Sequence, residues 1–260
     1  MVFPQQTFWN MKKILVIGEL GEDVFVYGQV KRICPEAPVP VFNPIKEVRN
    51  PGMAGNVVEN LIALDPTADI VHLHQPEKIT KTRLVEDKSN QMLVRIDDGE
   101  LNPISPLLLL SPRNVDTIQE SDIIILSDYD KGYLIPEMIT KISSMNTLTI
   151  LDTKKKLTED VIKNITFVKL NENEYQNNID LVNQYPEKFL ITLGSKGCKH
   201  NEVVYPSPRP QETIDVSGAG DTFVASFTVK YLETKDIEKS LIFANEMSSI
   251  VVSKKGVSTP

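Results

Sequence analysis

Short runs of apolar residues recur along the chain, each about as long as a buried β-strand. They read KILVIG, DIVHLH, DIIILS, LTILD, ITFVKL and KFLITLG, at positions 13–18, 69–74, 122–127, 148–152, 165–170 and 188–194. Continuous apolar runs of this length are typical of strands that are covered on both faces. The runs therefore predict the strands of a buried sheet.

Stretches of helical character separate many of these runs. Apolar residues at three- and four-residue steps, such as Phe223, Phe227 and Tyr231, predict amphipathic helices. The predicted helices cover residues 54–64, 135–144, 173–184, 218–233 and 236–253. Alternating strands and helices predict an α/β fold with a mostly parallel central sheet flanked by helices. Ligands in such sheets bind beyond the carboxyl ends of the strands.

Two segments depart from this rhythm. Polar and apolar residues alternate over 23–43 and 81–97, as in antiparallel strands with one exposed face. They predict a small β-lid beside the main sheet. We expect a single domain over 11–260 with these lid strands inserted in it, and a loose leader over 1–10. No second module is expected in this sequence.

Composition narrows the classes of function. The chain has 260 residues and a net charge of -7. Nucleic acids and acidic membrane surfaces bind proteins that carry clustered positive charge, whereas this chain is acidic overall. We therefore expect neither as a partner, and any phosphate binding must depend on a local site. The cysteines Cys34 and Cys198 lie far apart, which supports neither a disulfide framework nor a structural zinc site. This cysteine usage makes a reducing cytoplasm the expected location. No stretch is long enough to span a bilayer.

The stretch DVSGAGDTF at 215–223 carries the candidate chemistry. If a helix begins at Gly218, the free N–H groups of its first turn and its dipole make an anion site. Gly218 and Gly220, on either side of Ala219, leave room for phosphoryl oxygens to approach the backbone. Asp221 would accept the proton of an attacking hydroxyl. The alternative is that the glycines only turn the chain and Asp221 caps the helix.

This stretch resembles the D-T-x-G-A-G-D signature of the ribokinase-like, or PfkB, carbohydrate kinases. Further similar stretches follow the family in order: CPEAPVPV, PGMAGNVVENLIAL, KTRLVEDKSNQMLVRID, LSDYDKGYL, VKLNENEY and FANEMSSIVVSKKGVSTP. Within the family the likeness is greatest to bacterial heptose 7-phosphate kinases, the kinase module of ADP-heptose synthesis. The resemblance covers most of the chain.

The resemblance implies an enzyme that transfers the γ-phosphoryl group of ATP to a hydroxyl, the anomeric one, of a heptose 7-phosphate-like sugar. Asp221 is then the catalytic base, and the amides of Gly218, Ala219 and Gly220 form the anion hole. Two alternatives remain open. The chain is either a kinase for another sugar or nucleoside, or a catalytically weak sugar- or nucleotide-binding protein on the same scaffold.

The nucleotide side is implied by a second set of matches. Asn171 and Glu174 fit the family's N-x-x-E motif, which helps to hold Mg²⁺ near the triphosphate, largely through water. A capping box formed by the same two residues is the structural alternative. The other residues matched to the nucleotide site, for which turn chemistry or helix packing is the alternative, are Thr192, Gly194, Gly197 and Asn245.

The acceptor side is implied by Asp23, which the family uses to bind sugar hydroxyls, and by Gly52 and Asn56 of the sugar-binding turn. Asp128 and Lys131 follow a predicted strand and match the heptose kinases, although an i, i+3 pair is often only a surface contact. The alternative for Asp23 is a solvated loop carboxylate.

Four further positions bear on the substrate, and four others bear on the assembly. Arg83 and Arg95 on the predicted lid are candidates for a substrate phosphate, with solvated arginines as the alternative. Met53 stands where the family has a glycine, and Glu19 where heptose kinases have an aspartate. The family also implies a homodimer through the lid strands, with Val24, Val26, Leu93 and Ile96 as candidate contacts.

Overall fold

The computed structural model describes residues 11–102, 104, 110–146, 148–208, 218–253 and 259–260. The predicted leader over 1–10 and residues 215–217 of the DVSGAGDTF motif lie outside the described residues.

The described residues form strands and helices that alternate for most of the chain. The strands are β1 (Lys13–Gly18), β2 (Leu20–Ile33), β3 (Pro40–Met53), β4 (Asp69–Leu73), β5 (Ile79–Glu86), β6 (Met92–Asp98), β7 (Ile123–Asp128), β8 (Thr149–Thr153), β9 (Phe167–Asn171), β10 (Phe189–Thr192), β11 (Cys198–His200) and β12 (Val203–Tyr205). The helices are α1 (Ala54–Leu64), α2 (Pro112–Glu120), α3 (Pro136–Ser143), α4 (Glu159–Ile162), α5 (Glu172–Asn177), α6 (Ile179–Gln184), α7 (Ala219–Thr234) and α8 (Ile237–Val252).

The central sheet has the strand order β12-β11-β10-β9-β8-β7-β1-β4 within the described part of the chain. Pairs from β4 to β10 are parallel, while β11 and β12 pair antiparallel at one edge. After β1 the chain builds one side of the sheet with β4 and then the other side with β7. Since ligands of open α/β sheets bind where the strand order reverses, the crevice between the ends of β1 and β7 is the expected site.

Each face of this sheet carries its own hydrophobic core. Along β1, Ile14 and Val16 pack with α1, α7 and α8, whereas Leu15 and Ile17 pack with α2, α3 and α6. Alternate side chains of a strand point to opposite faces. The uninterrupted apolar runs in the sequence therefore reflect strands buried on both sides, and the predicted fold class is confirmed.

The lid is a second sheet with the order β3-β2-β5-β6. Its outer pairs are antiparallel, but β2 and β5 pair in parallel, with Asp23 opposite Lys81. An all-antiparallel lid was expected; the parallel pair arises because the chain passes through α1 and β4 before it returns as β5. Val24, expected to contact a partner subunit, is only 2% exposed and belongs to the interior of the chain.

Candidate functional site

The carboxyl ends of the parallel strands bring several predicted residues to one edge of the sheet. Asp128 ends β7, Asn171 ends β9 and Thr192 ends β10. Residues after these ends, together with the first turn of α7, surround the candidate site. This is the edge at which the strand pattern predicted a ligand.

Asp221, the predicted base, lies in the first turn of α7 and is 8% exposed. Asn56 Nδ2 donates a hydrogen bond of 2.7 Å to its Oδ2, and the Tyr129 hydroxyl donates one of 2.5 Å to its Oδ1. The carboxylate therefore faces the protein's own donors, at the junction of α1, α7 and the loop after β7. Both donors fix its orientation, and each oxygen keeps a lone pair for a further proton.

A chain of buried side chains fixes the amide of Asn56. Asn60 Nδ2 donates to the backbone oxygen of Asn56 at 2.7 Å and to Oδ1 of Asn56 at 3.2 Å. Thr222 Oγ1 in turn donates to Oδ1 of Asn60 at 2.8 Å. Because Asn56 Oδ1 accepts from Asn60, its Nδ2 is the group that points at Asp221. Thr222, Asn60 and Asn56 thus form a continuous hydrogen-bonded path from α7 through α1 to the carboxylate.

The loop that carries Tyr129 is held by Glu19, which is fully buried. Its carboxylate accepts from the backbone N–H groups of Tyr129, Lys131 and Tyr133, at 2.9, 3.2 and 3.2 Å. Burial raises the pKa of Glu19, although these N–H groups lower it. The position that departs from the heptose kinase pattern therefore anchors the loop beside the candidate base.

The environment of Asp221 changes its protonation. Burial raises its pKa from the ordinary 3.8 to about 6, against the lowering effect of the bonds from Tyr129 and Asn56. Burial, and next the charge of Asp221, raise the pKa of Tyr129 well above 10, so its hydroxyl stays a donor. A carboxylate with a pKa nearer to neutrality is a stronger proton acceptor.

A cavity of about 470 Å³ lies on the other side of the first turn of α7. Its volume is in the range typical of small-molecule sites, roughly 300–1,000 Å³. The predicted nucleotide-side residues that line it are Asn171, Thr192, Gly194, Gly197, Ala219, Gly220 and Asn245. Gly218 precedes α7 in a left-handed conformation, with φ 80°. The structure therefore brings most of the predicted nucleotide residues together around one cavity, but Glu174 and the predicted anion-hole residue Gly218 are not among the residues that line it.

Lys169 also lines this cavity and was not singled out from the sequence. Its Nζ lies 3.0 Å from Oδ1 of Asp152. Burial alone would lower the pKa of Lys169, but Asp152, Glu174 and Asp221 outweigh it and raise the pKa. A Cβ at position 220 would lie 2.8 Å from this Nζ, so Gly220 permits the close approach of a buried cation to the helix start.

Asn171 and Glu174 form the capping box of α5. Asn171 Oδ1 accepts from the backbone N–H of Glu174 at 2.9 Å, and Glu174 Oε2 accepts from the N–H of Asn171 at 2.7 Å. No group of three or more His, Cys, Asp or Glu side chains that could hold a metal occurs among the described residues. With Oε2 engaged, the pair fits Mg²⁺ held through its water shell and offers no cage of direct ligands.

Three predicted acceptor-side residues meet at the base of the lid. Asp23 on β2 forms an ion pair with Arg83 on β5. A Cβ at Gly52 would lie 2.5 Å from Oδ2 of Asp23, so only glycine leaves space for this carboxylate. Burial is the main cause of the raised pKa of Tyr129, and the charge of Asp23 is a minor one.

Met53 at the sugar-binding turn has φ 55° and is 4% exposed. Positive φ is unfavourable for a bulky residue, which explains the glycine of the family at this position. The side chain of Met53 packs on Gly21, since a Cβ there would lie 3.2 Å from the sulfur of Met53. It therefore covers the start of β2.

Asp128 and Lys131 have partners within the chain. Asp128 accepts from Lys155 Nζ at 2.5 Å and from Thr153 Oγ1 at 2.6 Å, and its side chain has no exposed surface. Lys131 Nζ lies 2.7 Å from Oε2 of Glu100. Their roles in substrate binding remain predictions, and for Asp128 a direct contact with a sugar would require the loss of one of these internal partners. Arg95 pairs with Asp97 on its own strand.

Sequence reasoning missed Tyr129, Asn60 and Lys169. Tyr129 lies within LSDYDKGYL and Lys169 within VKLNENEY, two stretches that the family resemblance had marked. Asn60 follows Asn56 by one helical turn, a spacing that puts both amides on one face of α1. This spacing is the sequence signal that could have identified Asn60. Its role becomes clear only from the hydrogen bond with Thr222, which is distant in the sequence.

None of the helices in the described part of the chain combines the length and the apolar character required to cross a membrane.

Comparison with known proteins adds independent evidence. Residues 67–260 match the family model described as pfkB family carbohydrate kinase. The chain is 31% identical to the bifunctional protein HldE of Helicobacter pylori strain HPAG1, over 95% of this chain and 64% of that protein. It thus spans less than two thirds of the length of this curated relative.

Solved structures agree with the fold. The ribokinase of Thermotoga maritima superposes with a TM-score of 0.70 at 18% identity, covering 95% of each chain. The ribokinase of Arabidopsis thaliana complexed with ribose and ATP gives 0.68 at 15% identity, covering 95% of this chain and 94% of that one. With the family match over 67–260, these findings confirm the resemblance drawn from the motifs: the chain belongs to the pfkB family of ATP-dependent carbohydrate kinases.

Proposed function

We propose that the chain transfers the γ-phosphoryl group of ATP to the anomeric hydroxyl of a sugar resembling D-glycero-D-manno-heptose 7-phosphate. The observation that carries the proposal is the placement of Asp221. Its carboxylate is buried between Asn56 and Tyr129, and the residues immediately before it line the 470 Å³ cavity. A proton acceptor and an anion-binding helix start are therefore neighbours, as in-line phosphoryl transfer requires.

In this mechanism the nucleotide occupies the cavity, with its phosphates toward the amides of Ala219 and Gly220. Lys169 supplies a buried positive charge at the same place. Asp221 accepts the proton of the sugar hydroxyl at its carboxylate as the oxygen attacks the γ-phosphorus, and the bond from this phosphorus to the bridging oxygen breaks to release ADP. Charge that develops on the phosphoryl oxygens is stabilised by groups already fixed in position.

Mg²⁺ belongs to the proposal as an ion held through water near Asn171 and Glu174, and when bound it would neutralise charge on the phosphates. Asp23, Gly52 and Asn56 bind the sugar from the lid side. The proposed domain is the kinase unit over 11–260, and the proposed location is the cytoplasm, where ATP is available.

The preference for a heptose 7-phosphate is supported by the motif resemblance and by the similarity to HldE proteins. A coupled ADP-release assay with a panel of sugars and sugar phosphates tests it. We expect turnover with heptose 7-phosphate above that with its unphosphorylated counterpart. Activity on unphosphorylated sugars alone would overturn this assignment and leave the kinase class intact.

A second candidate, a kinase for another sugar or nucleoside, is favoured by one observation. Met53 is buried at the turn that resembles the family's sugar-binding turn, where the family has a glycine, so this turn carries a side chain that glycine lacks. The same panel, extended to nucleosides, separates the two candidates.

We also propose a homodimer through the lid. The edge strand β6 is exposed along its whole length, and Met92, Leu93, Val94 and Ile96 are each at least 36% exposed. An exposed apolar edge strand is a ready surface for pairing with a second copy. Val26 on β2 is half-buried and less available.

A further inference from the structure

The Gln75 side chain joins the central sheet to the lid. Gln75 lies two residues after β4 and is 2% exposed. Its Oε1 accepts from the backbone N–H of Leu20 at 2.9 Å, and its Nε2 donates to the backbone oxygen of Leu20 at 2.7 Å. Nε2 also donates to the backbone oxygen of Glu77 at 3.0 Å. One buried amide thus satisfies three backbone groups, at the start of β2 and just before β5.

Leu20 is the residue at which the lid leaves the central sheet. It is the first residue of β2, and Glu19 alone separates it from the end of β1. On one side Leu20 pairs with Met53 of β3, whereas on the other side the pairing of β2 with β5 begins only at Gly21. The Gln75 amide therefore takes the place of a β5 residue opposite Leu20. A side-chain amide can do this because it carries a donor and an acceptor, as a peptide group does.

The junction of Leu20 with Gln75 is here called the hinge. Within residues 13–86, all of which are described, the chain crosses between the sheets from β1 to β2, from β3 to α1 and from β4 to β5. The first two crossings are tied by the backbone, since the N–H of Ala54 donates to the oxygen of Glu19 at 3.0 Å. Gln75 ties the third crossing to the first.

The space beside the hinge is open. A crevice of about 430 Å³ is lined there by the first residues of β2, the last residues of β3 and the connection from β4 to β5. In a packed core, interdigitated side chains would fix the position of neighbouring elements. Because a packed core does not fill this side of the hinge, the bonds of Gln75 hold the connection in place.

We propose that Gln75 is a positioning residue that sets the orientation of the lid on the central sheet, and thereby the affinity for the acceptor sugar. It acts through Asp23, three residues after Leu20 on β2, and through Arg83, which pairs with Asp23 from β5. This inference rests on the proposed function, in which Asp23 binds the sugar. Gln75 does not line the nucleotide cavity, and the hydrogen bonds described for Asp221 come from other residues.

Loss of the Gln75 bonds would lower the population of molecules whose lid is correctly oriented. The apparent affinity for a ligand falls by the fraction of molecules that can bind it. A saturating sugar restores that population, so kcat is largely preserved. The nucleotide cavity is lined by residues of the central sheet, α5, α7, α8 and their loops, so the KM for ATP is preserved as well.

The test compares Gln75→Met, which keeps the length of the side chain and removes its three bonds, with the control variant Asn146→Leu. The Asn146 amide also forms three bonds to backbone groups, with the oxygens of Ile118 and Ser121 and with the N–H of Leu148. Asn146 precedes β8, at the edge of the central sheet opposite the candidate site. Both variants lose three bonds, but only Gln75→Met loses them at the hinge.

Steady-state kinetics with heptose 7-phosphate and ATP measure the effect. We expect Gln75→Met to raise the KM for the sugar about tenfold and to leave kcat and the KM for ATP within about twofold. The control variant should lower the melting temperature and leave both KM values within about twofold. Gln75→Glu keeps the acceptor for the N–H of Leu20 and loses both donors. It should raise the KM for the sugar too, and it replaces Gln75→Met if that variant does not fold.

Spin labels report the position of the lid without a substrate. They are attached through Lys88→Cys, in the exposed turn of the lid, and Asp116→Cys, exposed on α2, in a Cys34→Ser background. Cys198 is fully buried and so is protected from the label. Excess unlabelled chain ensures that each assembly carries one labelled copy. We expect a broader distribution of distances between the labels in Gln75→Met than in the wild type or the control variant.

Three outcomes overturn the inference: an unchanged KM for the sugar, an unchanged distance distribution, or equal effects in the control variant. Parallel losses in kcat and in the KM for ATP would also overturn it, because they would indicate a general structural defect. If the wild type does not turn over heptose 7-phosphate, the proposed acceptor fails, and the distance distributions alone decide. Broadening confined to the Gln75 variants then supports the hinge role, and equal distributions reject it.

Discussion

Thr222 Oγ1 on α7 and Asn60 Oδ1 on α1 are 2.8 Å apart, and both side chains are fully buried. This bond begins the path that ends at Asp221. Since Asn60 also holds the Asn56 amide, the hydroxyl of Thr222 acts on the base through two intervening side chains.

Thr222→Val removes this donor at nearly constant volume and loosens the Asn56 amide. We expect kcat/KM to fall about two- to tenfold, the range for one lost hydrogen bond of roughly 0.5–1.5 kcal/mol. Because the bond from Asn56 lowers the pKa of Asp221, the acid limb of the pH profile should also move to higher pH.

Thr228→Val is the control for this change. Thr228 is equally buried on α7, but its hydroxyl donates to the backbone oxygen of Val224. The Thr228→Val variant should alter thermal stability without moving the pH profile. Equal shifts of the acid limb in Thr222→Val and Thr228→Val would argue that the hydrogen-bonded path to Asp221 does not cause the shift.

Asp221→Asn removes the proton acceptor and retains the shape of the side chain. We expect kcat to fall by about 10²–10⁴-fold, the contribution typical of a positioned general base. Binding of an ATP analogue should change little, because the cavity is lined by other residues. An ADP-release assay measures kcat, and calorimetry measures binding of the ATP analogue. Full turnover in this variant would refute the assignment of Asp221 as the base.

The pKa of Asp221 predicts the pH dependence of the reaction. A base acts in its ionised form, so kcat/KM should decline as the pH falls below about 6. Tyr129→Phe removes a hydrogen bond that lowers this pKa, and the decline should then begin at higher pH. Tyr133→Phe, a buried tyrosine of the same loop, should leave the midpoint in place. An unchanged midpoint in Tyr129→Phe would contradict the role of this bond.

Gly220→Ala places a methyl group 2.8 Å from the Nζ of Lys169. We expect the KM for ATP to rise about tenfold, equivalent to ~1.4 kcal/mol, because Lys169 must move away from the cavity. The same substitution in a Lys169→Met background isolates the cause. If Gly220→Ala raises the KM for ATP as much in the Lys169→Met background, crowding of Lys169 is not the cause of the rise.

The dimer proposal predicts that Leu93→Lys combined with Ile96→Lys yields monomers. Both residues are exposed on β6, at 36% and 50%. Analytical ultracentrifugation at micromolar concentration measures the mass. Ile242→Lys, at a 51% exposed position on α8, should leave the assembly intact. A monomeric wild type would remove the basis of this prediction.

The fold was largely predictable because its signals are local. The apolar runs and the helical spacings gave the six central parallel strands and helices α1, α3, α7 and α8 close to their observed bounds. The strands β11 and β12 have three residues each, too few for a period to appear. Helix α2 was missed because Ile118 is its only buried residue. The predicted helix over 173–184 divides into α5 and α6 at Asn178.

The site was predictable only in part. Motif resemblance singled out Asp221 and most of the residues that the structure places around the cavity. The contacts that set the chemistry of the base join residues far apart in sequence, such as Tyr129 and Asp221, which are 92 positions apart. Likewise, Asn171 and Glu174 fit both a helix capping box and the family's N-x-x-E motif. The local sequence does not distinguish a structural role from a role in binding Mg²⁺.

Glu19 has a consequence for how an acceptor would be engaged. It follows the central strand β1 and holds the loop of Tyr129 by three backbone bonds, so the aim of the base is fixed by the main sheet. Asp23, Arg83 and Lys81 belong instead to the lid sheet. If Asp23 binds the sugar as proposed, displacement of the lid would change this sugar contact while the main sheet keeps the loop of Tyr129, and with it Asp221, in place.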